Sequence, residues 1–291
     1  RLVAIIQPET RQSPADAALR VVRDRARHII SVDLDSESYP SEAMSQLESS
    51  GAAIVDELIE GLDNDDYDVR WRCANALGKI GPEAREAIPA LVNLVRRTMK
   101  FAEFWASYEW QYSLQAMGKI GDERGLHLFL ELLQDTRIPT VHLKMSIIEP
   151  ICCIGPHANR ALGELLPNIR GPSRLRVLWT LALLNTSNPS AQLSSIVAIL
   201  NAGDAIERNQ AAEVLFELGP VAKPVNADLI KALQDGEPLV RVQAAEALRR
   251  LEDYGDAVID ALKKAIDDAD EKVRSRARLA LEQLRLRSQG K

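Results

Sequence analysis

One unit returns along this chain: a helix, a glycine-proline turn and a second helix. A chain written that way has few folds open to it. The unit is plainest from Asp66 to Val95, DYDVRWRCANALGKIGPEAREAIPALVNLV. Val69, Cys73, Ala76, Leu77 and Ile80 recur at helical spacing and put one apolar stripe on the first helix, with Ala74 small enough for a neighbour to approach closely. Gly78 and Gly81 loosen the end of that helix, and Pro82 stops its continuation while suiting the first turn of the next. Ile88, Leu91, Leu94 and Val95 form the stripe of the second helix. Two short helices with one apolar face each cannot bury those faces alone, so they must stack on copies of themselves.

The copies are present. The hinge Gly78-Lys79-Ile80-Gly81-Pro82 returns around Gly121, Gly155 and Gly219, and the intervals between the hinge glycines are 40, 34 and 64 residues, the last being two repeats. A second ruler is an acid placed four residues before an arginine: Asp66 and Arg70, Asp204 and Arg208, Glu237 and Arg241, Asp270 and Arg274. Arg208, Arg241 and Arg274 are spaced by 33 residues. The spacing predicts i,i+4 ion pairs forming a structural ladder along the repeats. A repeat of this length, with these residues, resembles the HEAT-repeat family, and is most similar to its bacterial branch, the phycobilisome bilin lyase-type HEAT-like proteins. The resemblance covers roughly residues 51 to 286 and implies an all-α chain, an α-solenoid of about seven stacked helical hairpins.

Composition agrees. Hydrophobic residues make up 46% of the 291 and aromatics 4%, as expected where small aliphatic side chains pack helix on helix. The expectation is a single domain over 1–291, with a loose arm at 1–14, an N-terminal capping repeat at 15–62, HEAT-like repeats at 63–269 and a C-terminal capping helix at 270–291. In the first of these, Arg20, Arg23 and Arg27 share a helix face, either an anionic contact or the solvated side of a cap. Three cysteines, Cys73, Cys152 and Cys153, give no disulfide framework and point to a reduced, cytoplasmic setting. No apolar run approaches a membrane span, and a monomer without membrane contact is expected. Residue 1 is not Met, so the question of a preceding segment stays open.

The centre of the chain breaks the pattern. The 40-residue interval exceeds the common 33 by about two helical turns, so the added stretch is expected to keep helical phase. That stretch is aromatic. Of 13 aromatic residues, six fall within 12 positions: Phe101, Phe104, Trp105, Tyr108, Trp110 and Tyr112. Five lie on one helical face with Trp110 opposite. Either the stripe packs on the preceding repeat or it is an exposed recognition ridge, since Trp and Tyr dominate binding hot spots. As a partner-binding surface, Trp105 would be structural and Trp110, aligned by the hinge with an arginine, would be available.

Chemistry is harder to find. Asp63 to Asp68 is acidic, but Asp68 and Ala74 stand where a calcium loop of the EF-hand type wants glycine and glutamate, so it reads as a helix-capping turn. His127, His142, His157, Glu149, Cys152 and Cys153 lack the ligand spacing of structural zinc. Among enzymes that resemble this architecture, deoxyhypusine hydroxylases bind iron through His-Glu dipeptides, and no histidine here precedes glutamate. HEAT-like DNA glycosylases need a basic face, against a net charge of −6 and a pI near 5.4. The reading is therefore a non-catalytic protein-protein interaction scaffold with no metal, no cofactor and no nucleic acid, its partner another protein. A bilin lyase or bilin-protein chaperone is the alternative.

Overall fold

The hinge glycines set the local geometry. Gly81, Gly121, Gly155 and Gly219 have φ of 74°, 71°, 70° and 55°, a left-handed conformation that costs a residue with a Cβ about 1–2 kcal/mol. Each ends one helix and turns the chain into the next.

The computed structural model describes residues 54–253 and 255–289, and among them every regular element is helical. The helices are α1 (Val55–Gly61), α2 (Tyr67–Ile80), α3 (Ile88–Thr98), α4 (Tyr108–Ile120), α5 (Leu126–Gln134), α6 (Thr140–Leu143), α7 (Glu149–Ile154), α8 (Pro156–Leu165), α9 (Gly171–Leu184), α10 (Ser190–Ala202), α11 (Ala205–Leu218), α12 (Asn226–Ala232), α13 (Pro238–Arg250), α14 (Asp256–Ala265) and α15 (Glu271–Gln289). The fold is an all-α helical repeat. The arm expected at 1–14, the face of Arg20, Arg23 and Arg27, and most of the N-terminal capping repeat lie outside the described residues.

The chain divides into two compact units. One comprises Arg1–Leu128 with Lys144–Ile154. In it α2 stacks on α4, α4 on α7, and α3 packs across α4. Leu77, Leu91, Leu94, Trp110, Leu114 and Met117 are fully or nearly fully buried there. The stacking is close because two glycines permit it: a Cβ on Gly78 would lie 2.8 Å from Cα of Ala116, and one on Gly118 would lie 2.5 Å from Cα of Pro150. Pro150 itself sits in a helical run, where it lacks an N–H and crowds the carbonyl four residues back. A π segment, Lys144–Ile148, precedes it and absorbs the mismatch.

The other unit comprises Phe129–Leu143 with Gly155–Lys291. Here α9, α11, α13 and α15 stack in succession, with α10, α12 and α14 packed beside them. Alanine pairs, Ala211-Ala212 and Ala244-Ala245, are fully buried and keep the stacked helices close. On α15, Val273, Ala277, Ala280 and Leu284 are buried while Lys272, Ser275, Arg276 and Arg278 face outward. Arg176 on α9, only 9% exposed, donates to the carbonyls of Asp135 at 2.7 Å and Ile138 at 2.8 Å, tying that turn down.

Two expectations need correction. The stretch after α3 is not a helical extension: Glu103 has φ 54°, Phe104–Ala106 is a 3-10 turn, and helix resumes only at Tyr108. Phe104 is buried, edge-on to Trp110 at 5.6 Å, and folding it under that ring takes a bend that a continuous helix cannot make.

The acid-arginine ladder also pairs differently. Asp66 accepts from the Asp68 N–H at 2.8 Å and Asp270 from the Lys272 N–H at 2.8 Å. Asp204 and Glu207 form a reciprocal capping box. These acids cap helix starts; Glu237 stands at the same N-cap position without a side-chain capping bond. Three of the four arginines reach forward instead. Arg208 binds Asp235 through two bonds of 2.8 and 2.9 Å, and Arg241 binds Asp268 with the same two distances. Arg70 pairs with Glu109.

Candidate functional site

The site is built on the N-terminal turns of α2 and α4. Asn64 accepts from the Asp66 N–H at 2.8 Å and Asp66 from that of Asp68, so the acidic turn winds directly into α2. Arg70, one turn in, donates to the carbonyls of Asn64 and Asp65 at 2.7 and 2.8 Å, and its Nε reaches Glu109 on α4. Glu109 is 7% exposed, so this pair locks the two helix starts together away from most of the solvent.

Rings lie beside the lock. Trp71 donates its indole N–H to Asp68 at 2.9 Å, stacks on Tyr112 at 5.1 Å and 24°, and meets Tyr108 at 5.8 Å. Tyr108 and Tyr112 are 6.2 Å apart, and the Tyr67 hydroxyl accepts from the Tyr108 N–H at 3.0 Å. Three rings from two helices thus form one cluster, and Tyr67 joins its edge through that hydroxyl. Tyr108 is 55% exposed and Tyr67 39%, so the cluster is an open face rather than core. Phe101, 71% exposed, stands at a neighbouring groove of about 390 Å³ that Arg70, Glu109, Arg97 and Lys100 also line. Arg97 is held there by Asp63 at 2.7 Å.

The six aromatics named from the sequence therefore separate. Phe101 and Tyr108 are exposed, Trp105 and Tyr112 are half-buried, and Phe104 and Trp110 are interior. Placing Trp110 as the available residue is corrected: it is completely buried. The reason is the reference position. Arginines there are themselves turned inward, with side-chain exposures of 20% for Arg70, 22% for Arg208 and 13% for Arg241. A residue replacing them inherits an interior place. Tyr67 and Trp71 were missed by reading only the dense aromatic run. The signal was available: Tyr67-x3-Trp71 and Tyr108-x3-Tyr112 each set two rings about one turn apart at the start of a helix.

Two of the three cysteines are held as thiols. Burial pushes the Cys73 thiol up to about 12, and burial with the neighbouring Cys153 and Glu149 pushes Cys152 up to about 11, so both stay protonated near neutrality. Among the described residues no group of three or more His, Cys, Asp or Glu side chains gathers as a metal site. No described helix is long and apolar enough to cross a membrane. What the open face offers is ring surface, carboxylates and hydroxyls.

Comparison with known proteins comes to the repeats. Residues 193–282 match the family model described as HEAT repeats, and residues 69–97 match that of the PBS lyase HEAT-like repeat. No curated protein matches. Among solved structures, human deoxyhypusine hydroxylase in complex with glycerol is 21% identical with a TM-score of 0.35, covering 92% of this chain and 99% of that one. The complex of CpcE and CpcF of phycocyanin lyase from Nostoc is 19% identical with a TM-score of 0.35, covering 98% and 100%. An engineered protein is 20% identical with a TM-score of 0.37, covering 93% and 80%.

Proposed function

Because this chain carries HEAT repeats, we propose that it is a non-catalytic scaffold that binds another protein through the aromatic face of α2 and α4. The observation that carries the reading is the open cluster Tyr67, Trp71, Tyr108 and Tyr112, in a chain of which aromatics are only 4%. Large rings left open beside a rigid ion pair are what binding hot spots are made of. The three cysteines are free thiols, which supports a reduced, cytoplasmic setting; a monomer is the proposed state, checked by sedimentation.

Affinity capture from the native cell, repeated with Tyr108→Ala and Trp71→Ala, tests the reading. Partners retained by the parent chain and lost by both variants, at an unchanged melting temperature, are expected. Capture indifferent to both would place the functional surface elsewhere. A second reading, a phycobilin lyase-type or bilin-protein chaperone subunit, is favoured by one observation: the stretch matching the PBS lyase HEAT-like repeat, 69–97, contains Trp71. Incubation with phycocyanobilin and an absorbance scan separate the two. A new band shifted from that of the free pigment favours the second.

A further inference from the structure

The acidic turn gives the aromatic face a sign. Asp65, Asp66 and Asp68 are exposed, and their carboxylates have no cationic partner among the described residues. Of the arginines near this turn, Arg70 divides its donors between Glu109 and the Asn64 and Asp65 carbonyls, Arg97 pairs with Asp63, and Arg72 lies against the Trp71 ring, so none of these pairs is with the Asp65, Asp66 or Asp68 carboxylate. Asp66 is fixed by the Asp68 N–H and Asp68 by the Trp71 indole N–H, so negative charge is held at the edge of the ring cluster rather than swinging freely in solvent. The rings already show their preference: the Arg70 guanidinium lies 5.9 Å from the Tyr67 centroid and that of Arg72 lies 5.6 Å from Trp71. Ring faces attract cations, guanidinium most often, and adjoining carboxylates deepen the attraction. Tyr108, more than half exposed, still has surface to give.

We infer that this face takes a positively charged segment of a protein partner, its arginine or lysine side chains lying over the open rings beside Asp65, Asp66 and Asp68. The inference rests on the docking reading above and adds the chemistry of the partner. Neutral or acidic segments are disfavoured there because they would leave the three carboxylates desolvated without a counter-charge. Wholly apolar segments are disfavoured for the same reason.

The test uses the full chain and a fluorescein-labelled peptide of four arginines spaced by Gly-Ser, with a glutamate-for-arginine peptide as control. Fluorescence anisotropy is expected to show saturable binding of the arginine peptide alone. Tyr108→Ala should weaken it about ten-fold, the scale of one well-placed cation-π contact. The double variant Asp65→Asn with Asp68→Asn, which keeps the side-chain shapes, should weaken it at least as much. Asp267→Asn with Glu271→Gln changes the net charge equally at exposed positions in the other unit and should leave binding nearly unchanged. Equal loss in the two double variants, or binding that survives Tyr108→Ala, would mean non-specific attraction to an acidic protein and would overturn the proposal. So would no binding of the arginine peptide while Trp71→Ala and Tyr108→Ala still abolish capture of the native partner; that result would leave the docking face standing and remove only its preference for positive charge.

Discussion

An arginine one turn into a helix has two kinds of acceptor within reach, and this chain uses both. Arg241 sends one Nη back to the Asp235 and Gly236 carbonyls at 2.8 and 3.3 Å and forks the rest of its guanidinium onto Asp268. Arg274 makes the backward bonds, to the Asp268 and Ala269 carbonyls, without the forward fork. Charge-assisted bonds of this sort contribute about 1.5–3 kcal/mol each site. Arg241→Ala is therefore expected to lower stability by about 2 kcal/mol and Arg274→Ala by clearly less, measured by urea denaturation. Equal losses would show that the forward pair contributes nothing. Arg241→Lys should recover little, since an ammonium cannot fork. The sequence showed where these arginines stand but not whom they bind. An acid four residues before an arginine looks like a helix pair, yet at a helix start it caps the backbone, and the true partner lies 27 residues on. Trp110 misled for a related reason, and Trp110→Ala is expected to cost about 3–5 kcal/mol as a cavity while Tyr108→Ala leaves the melting temperature nearly unchanged. Similar melting losses for the two would mean that Tyr108 is core.

Between elements, the deciding contacts are backbone against backbone. Gly118 on α4 meets Pro150 on α7 with no room for a Cβ, whereas a Cβ on Gly163 in α8 would meet nothing within 4 Å. The two glycines occupy helix interiors with opposite consequences. Gly118→Ala forces α4 and α7 apart and is expected to destabilise by about 1–3 kcal/mol. Gly163→Ala only removes freedom from the unfolded chain and should stabilise by about 0.5–1 kcal/mol. A stabilising Gly118→Ala, in thermal melts of both, would refute the close approach as the reason for that glycine. Hinges were legible because glycine at positive φ leaves a sequence mark that repeats. The close approach was not, since Gly118 reads as a loosened helix end until Pro150 is seen across from it. The aromatic stretch after α3 was likewise legible as an irregularity but not as a bend, because length alone cannot distinguish two extra helical turns from one buried Phe104.

Summed over the molecule, the carboxylates set how stability follows pH. Arg124 beside Asp122, Arg137 beside Asp135, Arg208 beside Asp235 and Arg241 beside Asp268 each hold the carboxyl below its ordinary range, mainly through side-chain hydrogen bonds. An acid whose folded pKa is depressed contributes stability that is present above the unfolded value near 3.9 and lost as pH falls through the folded one. Four such groups make acid destabilising, with the decline starting below about pH 5. Glu213 works the other way. Burial, then the neighbouring Glu217, raises its carboxyl, while Thr140 and Arg176 pull it back only in part. A raised acid contributes stability below its unfolded value near 4.3 that is lost as pH rises through the folded one, so at neutral pH its charge opposes folding. Removing that charge without changing shape isolates the effect. Glu213→Gln is expected to raise the urea midpoint at pH 7 and to have little or no benefit at pH 4, where the parent side chain is already largely protonated. An equal gain at both values would assign the effect to packing, and a loss at pH 7 would mean that the Arg176 attraction outweighs the burial of the carboxylate.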